Sequence, residues 1–120
     1  MTIPFIKMHG LGNDFVIIDH RVSNNVLNSS QITHLGNRRR GIGFDQLLTI
    51  LPARGDGDVF LKINNPDGSE AEACGNGTRC VADLIMREGN RPKITIETIA
   101  GKLYCHREKD KNVSVNMGKV

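Results

Sequence analysis

The sequence predicts an α+β fold in which a curved sheet wraps around one central apolar helix at about residues 78–88, and three observations predict it. Short runs rich in β-branched and aromatic residues recur along the chain, bounded by Gly, Asn, Asp and Pro. One long helical periodicity sits in mid-sequence, where Cys80, Val81, Leu84 and Ile85 recur on one face and Ala82 and Met86 widen the stripe. Strand and helix do not alternate as a doubly wound sheet requires.

The elements follow in order. "IPFIKMH" and "DFVIID" are β-type runs joined by "GLGN", whose glycines and Asn13 make a turn, so the chain opens with a hairpin. "SSQITHLGN" predicts a short helix with Ser29 or Ser30 as N-cap, Gly36 as its stop, and Ile32 and Leu35 on one face. "LLTIL" and "DVFLKIN" are strands separated by "PARGDG"; in the second, Val59, Leu61 and Ile63 alternate with Phe60 and Lys62, which predicts one buried face. The helix from Thr78 to Glu88 ends at Gly89. "KITIET", "KLYCHR" and "NVSVNM" are three final strands, turning through "IAG" and "EKDKN". No repeat, low-complexity segment or linker divides the chain, which reads as one domain.

Composition narrows the function. A chain of 120 residues is long enough to bury a sizeable core, which must be aliphatic because Tyr104 and four phenylalanines are its only aromatics. A formal charge of +3, scattered along the chain, does not provide the cluster of cations that nucleic acid requires. Arg38, Arg39 and Arg40 form a basic triplet, but without interleaved aromatics it reads as a solvated helix end. No window approaches the ~18 apolar residues of a membrane span, and the N-terminus lacks a secretory pattern. Three cysteines, an odd number, predict free thiols and a cytoplasmic protein.

The chemistry concentrates in "NPDGSEAEACGNGTRC", residues 65–80. Cys74 stands at or just before the N-terminus of the central helix, where unpaired N–H groups and the positive end of the helix dipole favour a thiolate. Gly75 and Gly77 leave room for a ligand to approach the amides of Gly75, Asn76 and Gly77, and a carboxylate would suit that place. Local physics is equally compatible with a loop cysteine whose glycines merely turn the chain. Cys80 on the apolar stripe and Cys105 in an alternating strand read as small buried hydrophobes. Metal is not expected: five residues separate Cys74 from Cys80, no second pair follows, and His9, His20, His34 and His106 are scattered. "GLGNDF", "GIGFDQ" and "GNGTRC" each begin G-x-G but lack Gly or Ala at the sixth position, so a dinucleotide fingerprint is absent.

"KMHGLGNDFVIID", "NRRRGIGFDQLL" and "NPDGSEAEACGNGTRC" together resemble the N-terminal half of diaminopimelate epimerases, from Lys7 through "ETIAGKLYC". The resemblance implies a lobe with a curved, mostly antiparallel, barrel-like sheet around the helix at about 78–88. It implies an isomerase that interconverts LL- and meso-diaminopimelate, in lysine and peptidoglycan synthesis, without a cofactor. Two cysteines act on opposite faces of the α-carbon in such enzymes, and Cys74 matches the first-lobe cysteine. Asn13, Gln46 and Asn65 match substrate-contacting polar residues, while Gly75 and Asn76 match backbone donors to the amino-acid end.

Family members are considerably longer, so residues 1–120 correspond to a first lobe, and the opposing cysteine belongs to a second lobe outside this chain. The expected ligand is a small molecule, the lobe alone is expected to be inactive, and a homodimer is compatible with the resemblance. Two other readings are a proline racemase-type enzyme, whose motif typically reads Cys-Gly-His where this chain has Asn76, and a non-catalytic binding module for an acidic amino acid.

Overall fold

The computed structural model describes residues 6–10, 13–21, 28–37, 43–71, 75–107 and 113–116, with the backbone path alone for 9, 10, 13, 75, 76 and 113–116. Eight strands and two helices are found among them: β1 (Ile6–Gly10), β2 (Asn13–Asp19), α1 (Ser29–Gly36), β3 (Gln46–Pro52), β4 (Val59–Asn64), β5 (Glu70–Ala71), α2 (Gly75–Gly89), β6 (Lys93–Thr98), β7 (Gly101–Arg107) and β8 (Val113–Asn116). All strands join one sheet in the order β1-β2-β3-β4-β6-β7-β8, with β5 beside the end of β4. Five of the seven pairings are antiparallel and two, β2–β3 and β4–β6, are parallel.

The expected hairpin, mostly antiparallel sheet and central helix are present, and the barrel is not. β1 and β8 are the free ends of the strand order, so the sheet is open. It still curves, because α2 packs against both edge strands as well as β2, β3 and β6. One face of the sheet and α2 enclose the main core. Phe15, Ile17, Leu48, Ile50, Leu61, Ile63, Ile96 and Leu103 meet Val81, Ala82, Ile85 and Met86 there.

A second core lies on the opposite face, where Val16, Ile18 and Leu47 pack with Phe44 and with Ile32 of α1. The alternation of β2 therefore carries apolar side chains on both faces, and Phe15 through Ile18 are all at most 2% exposed. For the same reason β4 is buried on both faces except at Lys62, where the alternation predicts a single buried face.

Two boundaries differ from expectation. α1 is capped by Asn28, not by Ser29 or Ser30: Asn28 Oδ1 accepts from the Gln31 N–H at 2.8 Å, and the Asn28 N–H donates to Gln31 Oε1 at 2.9 Å. This reciprocal box fixes the entry angle of the helix. α2 begins at Gly75 rather than 78, taking the glycines into its first turn. It ends as the sequence predicts at Gly89, with Asn90 in the left-handed region at φ 50° and the Arg91 N–H bonded to the Met86 carbonyl at 2.8 Å.

Candidate functional site

Sheet register collects the polar positions at one end of the molecule. β2 and β3 are parallel with Phe15 beside Gln46, so Asn13 and Gln46 open neighbouring strands at the same end. β4 is antiparallel to β3 with Asn64 beside Leu47, which puts Asn65 at that end too. Strand alternation then sets the face. Gln46 shares its parity with Leu48, which belongs to the core beneath α2.

The direction of α2 completes the arrangement. Arg21, just past the end of β2, pairs with Glu88 in the last turn of α2 at 2.9 Å. The 15-residue helix spans about 22 Å and the seven-residue strand about 23 Å, so the N-terminus of α2 lies at the Asn13 end. A second tie agrees: Ala71 pairs with Ile63 and packs on the main core, and four residue steps to Gly75 reach at most about 14 Å. The first N–H groups of a helix thus lie at the same end as the Asn13, Gln46 and Asn65 positions, and such a helix end can hold an anionic group such as a carboxylate.

Local bonds hold the three strand ends in place. The Asp14 N–H donates to Asp45 Oδ2 at 2.7 Å and the Asp45 N–H to the Asp14 carbonyl at 2.9 Å, clamping the residues beside Asn13 and Gln46 together. Phe44, 1% exposed, anchors the same segment in the second core, and Gly43 precedes it at φ 78° with its N–H on the Leu35 carbonyl. The turn after β4 is closed by the Asn65 N–H on the Ser69 carbonyl at 2.8 Å and the Gly68 N–H on the Asn65 carbonyl at 2.9 Å.

Within that turn Asp67 Oδ1 accepts from the Ser69 hydroxyl at 2.6 Å and its N–H at 2.9 Å, which holds the Asp67 carboxyl below the usual range. The turn also docks tightly on α1. A Cβ at Gly68, whose φ is +91°, would come within 3.0 Å of the Ser29 carbonyl oxygen, and one at Gly36 within 2.9 Å of Pro66 Cβ.

The predicted site residues divide accordingly. Gln46 and Asn65 are half-buried at the shared end, and the Asn65 amide donates to Ser69 Oγ at 3.1 Å. Asn13, Gly75 and Asn76 take their places by backbone position, while Cys74 and the Arg38–Arg40 triplet lie outside the described residues. Sequence reasoning passed over the Asp14–Asp45 clamp and Thr78. Thr78 is fully buried with its hydroxyl unpartnered, and its only sequence signal is a polar residue on the apolar stripe of α2.

Cys105 is buried as expected, 2% exposed with its thiol pushed up to about 11 by burial, whereas Cys80 is only partly buried, packed at the margin of the main core. Among the described residues no group of three or more His, Cys, Asp or Glu side chains could hold a metal ion, and no helix is long and apolar enough to cross a membrane. A cavity of about 490 Å³ lined by Asp58, Arg91, Lys93, Thr95, Tyr104 and His106 lies near the start of β4, at the other end of the sheet. Arg91 there is already paired with Asp58 at 2.8 Å.

Comparison with known proteins gives this geometry its context. The family model described as diaminopimelate epimerase matches residues 5–120. The chain is 45% identical over 119 residues to the diaminopimelate epimerase of Rhodospirillum centenum, covering 98% of this chain but 41% of that protein. The chain therefore spans about two-fifths of the length of this curated relative.

Among solved structures, a methylitaconate-delta-isomerase shares the fold at a TM-score of 0.70 and 20% identity, over all of this chain and 66% of the other. A hydroxyproline epimerase from Agrobacterium vitis, with bound trans-4-hydroxy-L-proline, gives 0.67 at 18% identity over 94% of this chain and 40% of the other. A phenazine biosynthesis protein of the PhzF family from Bacillus anthracis gives 0.63 at 20% identity over 94% and 38%.

Proposed function

Because this chain belongs to the diaminopimelate epimerase family, we propose that it forms the first lobe of an amino-acid epimerase that interconverts LL- and meso-diaminopimelate without a cofactor. The observation that carries the reading is the coincidence of the α2 N-terminus with the Asn13, Gln46 and Asn65 end of the sheet.

In this reading Cys74, as thiolate, takes the α-proton, and the C–H electron pair moves into the α-carboxylate. The amides of Gly75 and Asn76 at the head of α2 strengthen their hold as that charge grows, so they favour the transition state over the ground state. A thiol on the opposite face, from a second lobe outside this chain, returns a proton to carbon; in the reverse direction the two thiols exchange roles. Thiols suit this exchange because their pKa can be drawn towards neutral pH. Asn13, Gln46 and Asn65 orient the substrate's polar groups.

The lobe alone lacks the opposing thiol and leaves the developing carbanion open to water, so it does not turn over. Restored donors and positioning are each worth roughly a hundredfold or more. The test incubates the pure chain and the full two-lobed protein with LL-diaminopimelate in deuterated water and follows α-deuterium and meso product, with Cys74→Ala as control. Turnover by the full protein alone, abolished by the substitution, supports the reading; robust meso product from this lobe overturns the two-thiol mechanism. Proline and hydroxyproline serve as competing substrates, since a structure of similar fold binds the latter.

A further inference from the structure

A chain of side-chain hydrogen bonds joins Asn65, Ser69 and Asp67 in the turn that follows β4. Asn65 Nδ2 donates to Ser69 Oγ at 3.1 Å, and the Ser69 hydroxyl donates to Asp67 Oδ1 at 2.6 Å. The donor and acceptor roles are forced. An ionised carboxylate only accepts, so the Ser69 proton goes to Asp67 and the Ser69 oxygen is left to accept. Only the NH2 end of the Asn65 carboxamide can meet that oxygen, so the amide cannot flip without giving up the bond. The Ser69 hydroxyl foremost holds the Asp67 carboxyl below its usual range, which keeps it ionised at neutral pH and the chain in this sense.

The turn closes without this chain. The Asn65 N–H bonds the Ser69 carbonyl at 2.8 Å, the Gly68 N–H bonds the Asn65 carbonyl at 2.9 Å, and the Ser69 N–H bonds Asp67 Oδ1 at 2.9 Å. Gly68, at φ +91°, seats the turn against Ser29. What the Ser69 hydroxyl adds is the orientation of one half-buried carboxamide. The backbone N–H, the carbonyl and one side-chain N–H of Asn65 are committed inside the turn, while its Oδ1 has no partner among the described residues.

We propose that Ser69 and Asp67 are positioning residues of this site: they lock the Asn65 carboxamide by its nitrogen, so that its oxygen accepts a hydrogen bond from an ammonium group of the substrate. The proposal rests on the reading of Asn65 as a residue that orients the substrate's polar groups. The acceptor role follows from the turn alone. A carboxamide free to flip serves a carboxylate or an ammonium equally, whereas one anchored by its nitrogen offers its oxygen to a donor. Such a contact holds substrate and transition state alike, so its loss is read in KM and not in kcat.

The experiment measures KM and kcat for LL-diaminopimelate in the full two-lobed protein, with the urea midpoint recorded for each variant. Ser69→Ala is expected to raise KM about two- to tenfold, the worth of one neutral hydrogen bond, with kcat and the urea midpoint near wild type, and Ser69→Thr to keep the wild-type KM. In an Asn65→Ala background Ser69→Ala is expected to add nothing further. An unchanged KM in Ser69→Ala, or a rise of the same size in the Asn65→Ala background, overturns the positioning role, since the hydroxyl then serves the turn alone. Asn65→Asp keeps an acceptor and cannot donate, so it is expected to raise KM less than Asn65→Ala does; a larger rise shows donation to a carboxylate and overturns the acceptor role. If Ser69→Ala does not fold, Asp67→Asn, whose carboxamide can donate to Ser69 Oγ as well as accept, loosens the same chain and is read by the same split. Should the full protein not turn over LL-diaminopimelate, or Asn65→Ala leave KM at the wild-type value, the functional reading itself fails and the proposal with it, a result visible before any Ser69 variant is measured.

Discussion

Glu88 Oε2 accepts from Arg21 Nη2 at 2.9 Å, joining the last turn of α2 to the residue that follows β2 by two positions. Arg21 also engages Asp19 through both carboxylate oxygens, which holds the Asp19 carboxyl below its usual range. This tie fixes which end of the central helix faces Asn13 and Gln46. Because Glu88 is exposed and Arg21 only half-buried, Arg21→Ala is expected to cost about 0.5–1 kcal/mol, and less at high salt. Urea unfolding at low and high ionic strength checks both the size and the salt dependence.

Glu97 gives a pH-dependent contribution. Its carboxylate accepts from the N–H groups of Gly57 at 2.8 Å, Arg54 at 2.7 Å and Gly55 at 3.0 Å, so the loop between β3 and β4 is built around it. These bonds, that from Gly57 foremost, hold its carboxyl below the ordinary glutamate range. A folded-state pKa below the unfolded one stabilises the fold above the ordinary value, and that stability is lost as pH falls through the depressed one. Glu97→Gln is expected to unfold at lower urea than wild type at neutral pH, with the gap closing on acidification. A gap that persists unchanged at acid pH would contradict this account.

The same loop leaves no room for a side chain at Gly57, where a Cβ would stand 2.6 Å from Glu97 Cγ. Gly57→Ala is therefore expected to displace the carboxylate and mimic Glu97→Gln, and the double variant to lose less than the sum of the two. A double-mutant cycle in urea measures the coupling.

His20 is 4% exposed, and neither ring nitrogen has a hydrogen-bond partner. Its place is set by the backbone, whose N–H donates to the Ile50 carbonyl at 2.7 Å. Replacing an unsatisfied buried polar group with an apolar one of similar size is expected to be stabilising, so His20→Leu should raise the unfolding free energy by about 1 kcal/mol. A loss of stability would show that the ring has a partner in solution.

Phe44 links stability to the site, because it anchors the "GFDQ" segment in the second core two residues before Gln46. Phe44→Ala is expected to cost about 3–5 kcal/mol, and Ile32→Ala, on the α1 side of the same core, about 2–5 kcal/mol. Calorimetry on both variants tests whether α1 is integral to the folded lobe.

What the sequence determined by itself is local. Period-two and period-3.6 patterns located the strands and α2 because each repeats within a few residues, and Gly89 and Gly36 marked helix ends because backbone freedom is an intrinsic property. The motifs around Asn13, Gln46 and Asn65 marked positions that the sheet register brings to one end. The tertiary structure alone decided how these pieces meet. The cap of α1 at Asn28 is a local matter, set by the reciprocal box with Gln31 three residues on, whereas α2 took in Gly75 to Gly77 because a docked helix tolerates glycines in its first turn. The two-sided burial of β4, the parallel pairings of β2 with β3 and β4 with β6, and the open sheet depend on contacts between residues far apart in sequence. No local pattern encodes such contacts, since a strand's alternation says which residues share a face but not which strand lies beside it or what covers each face.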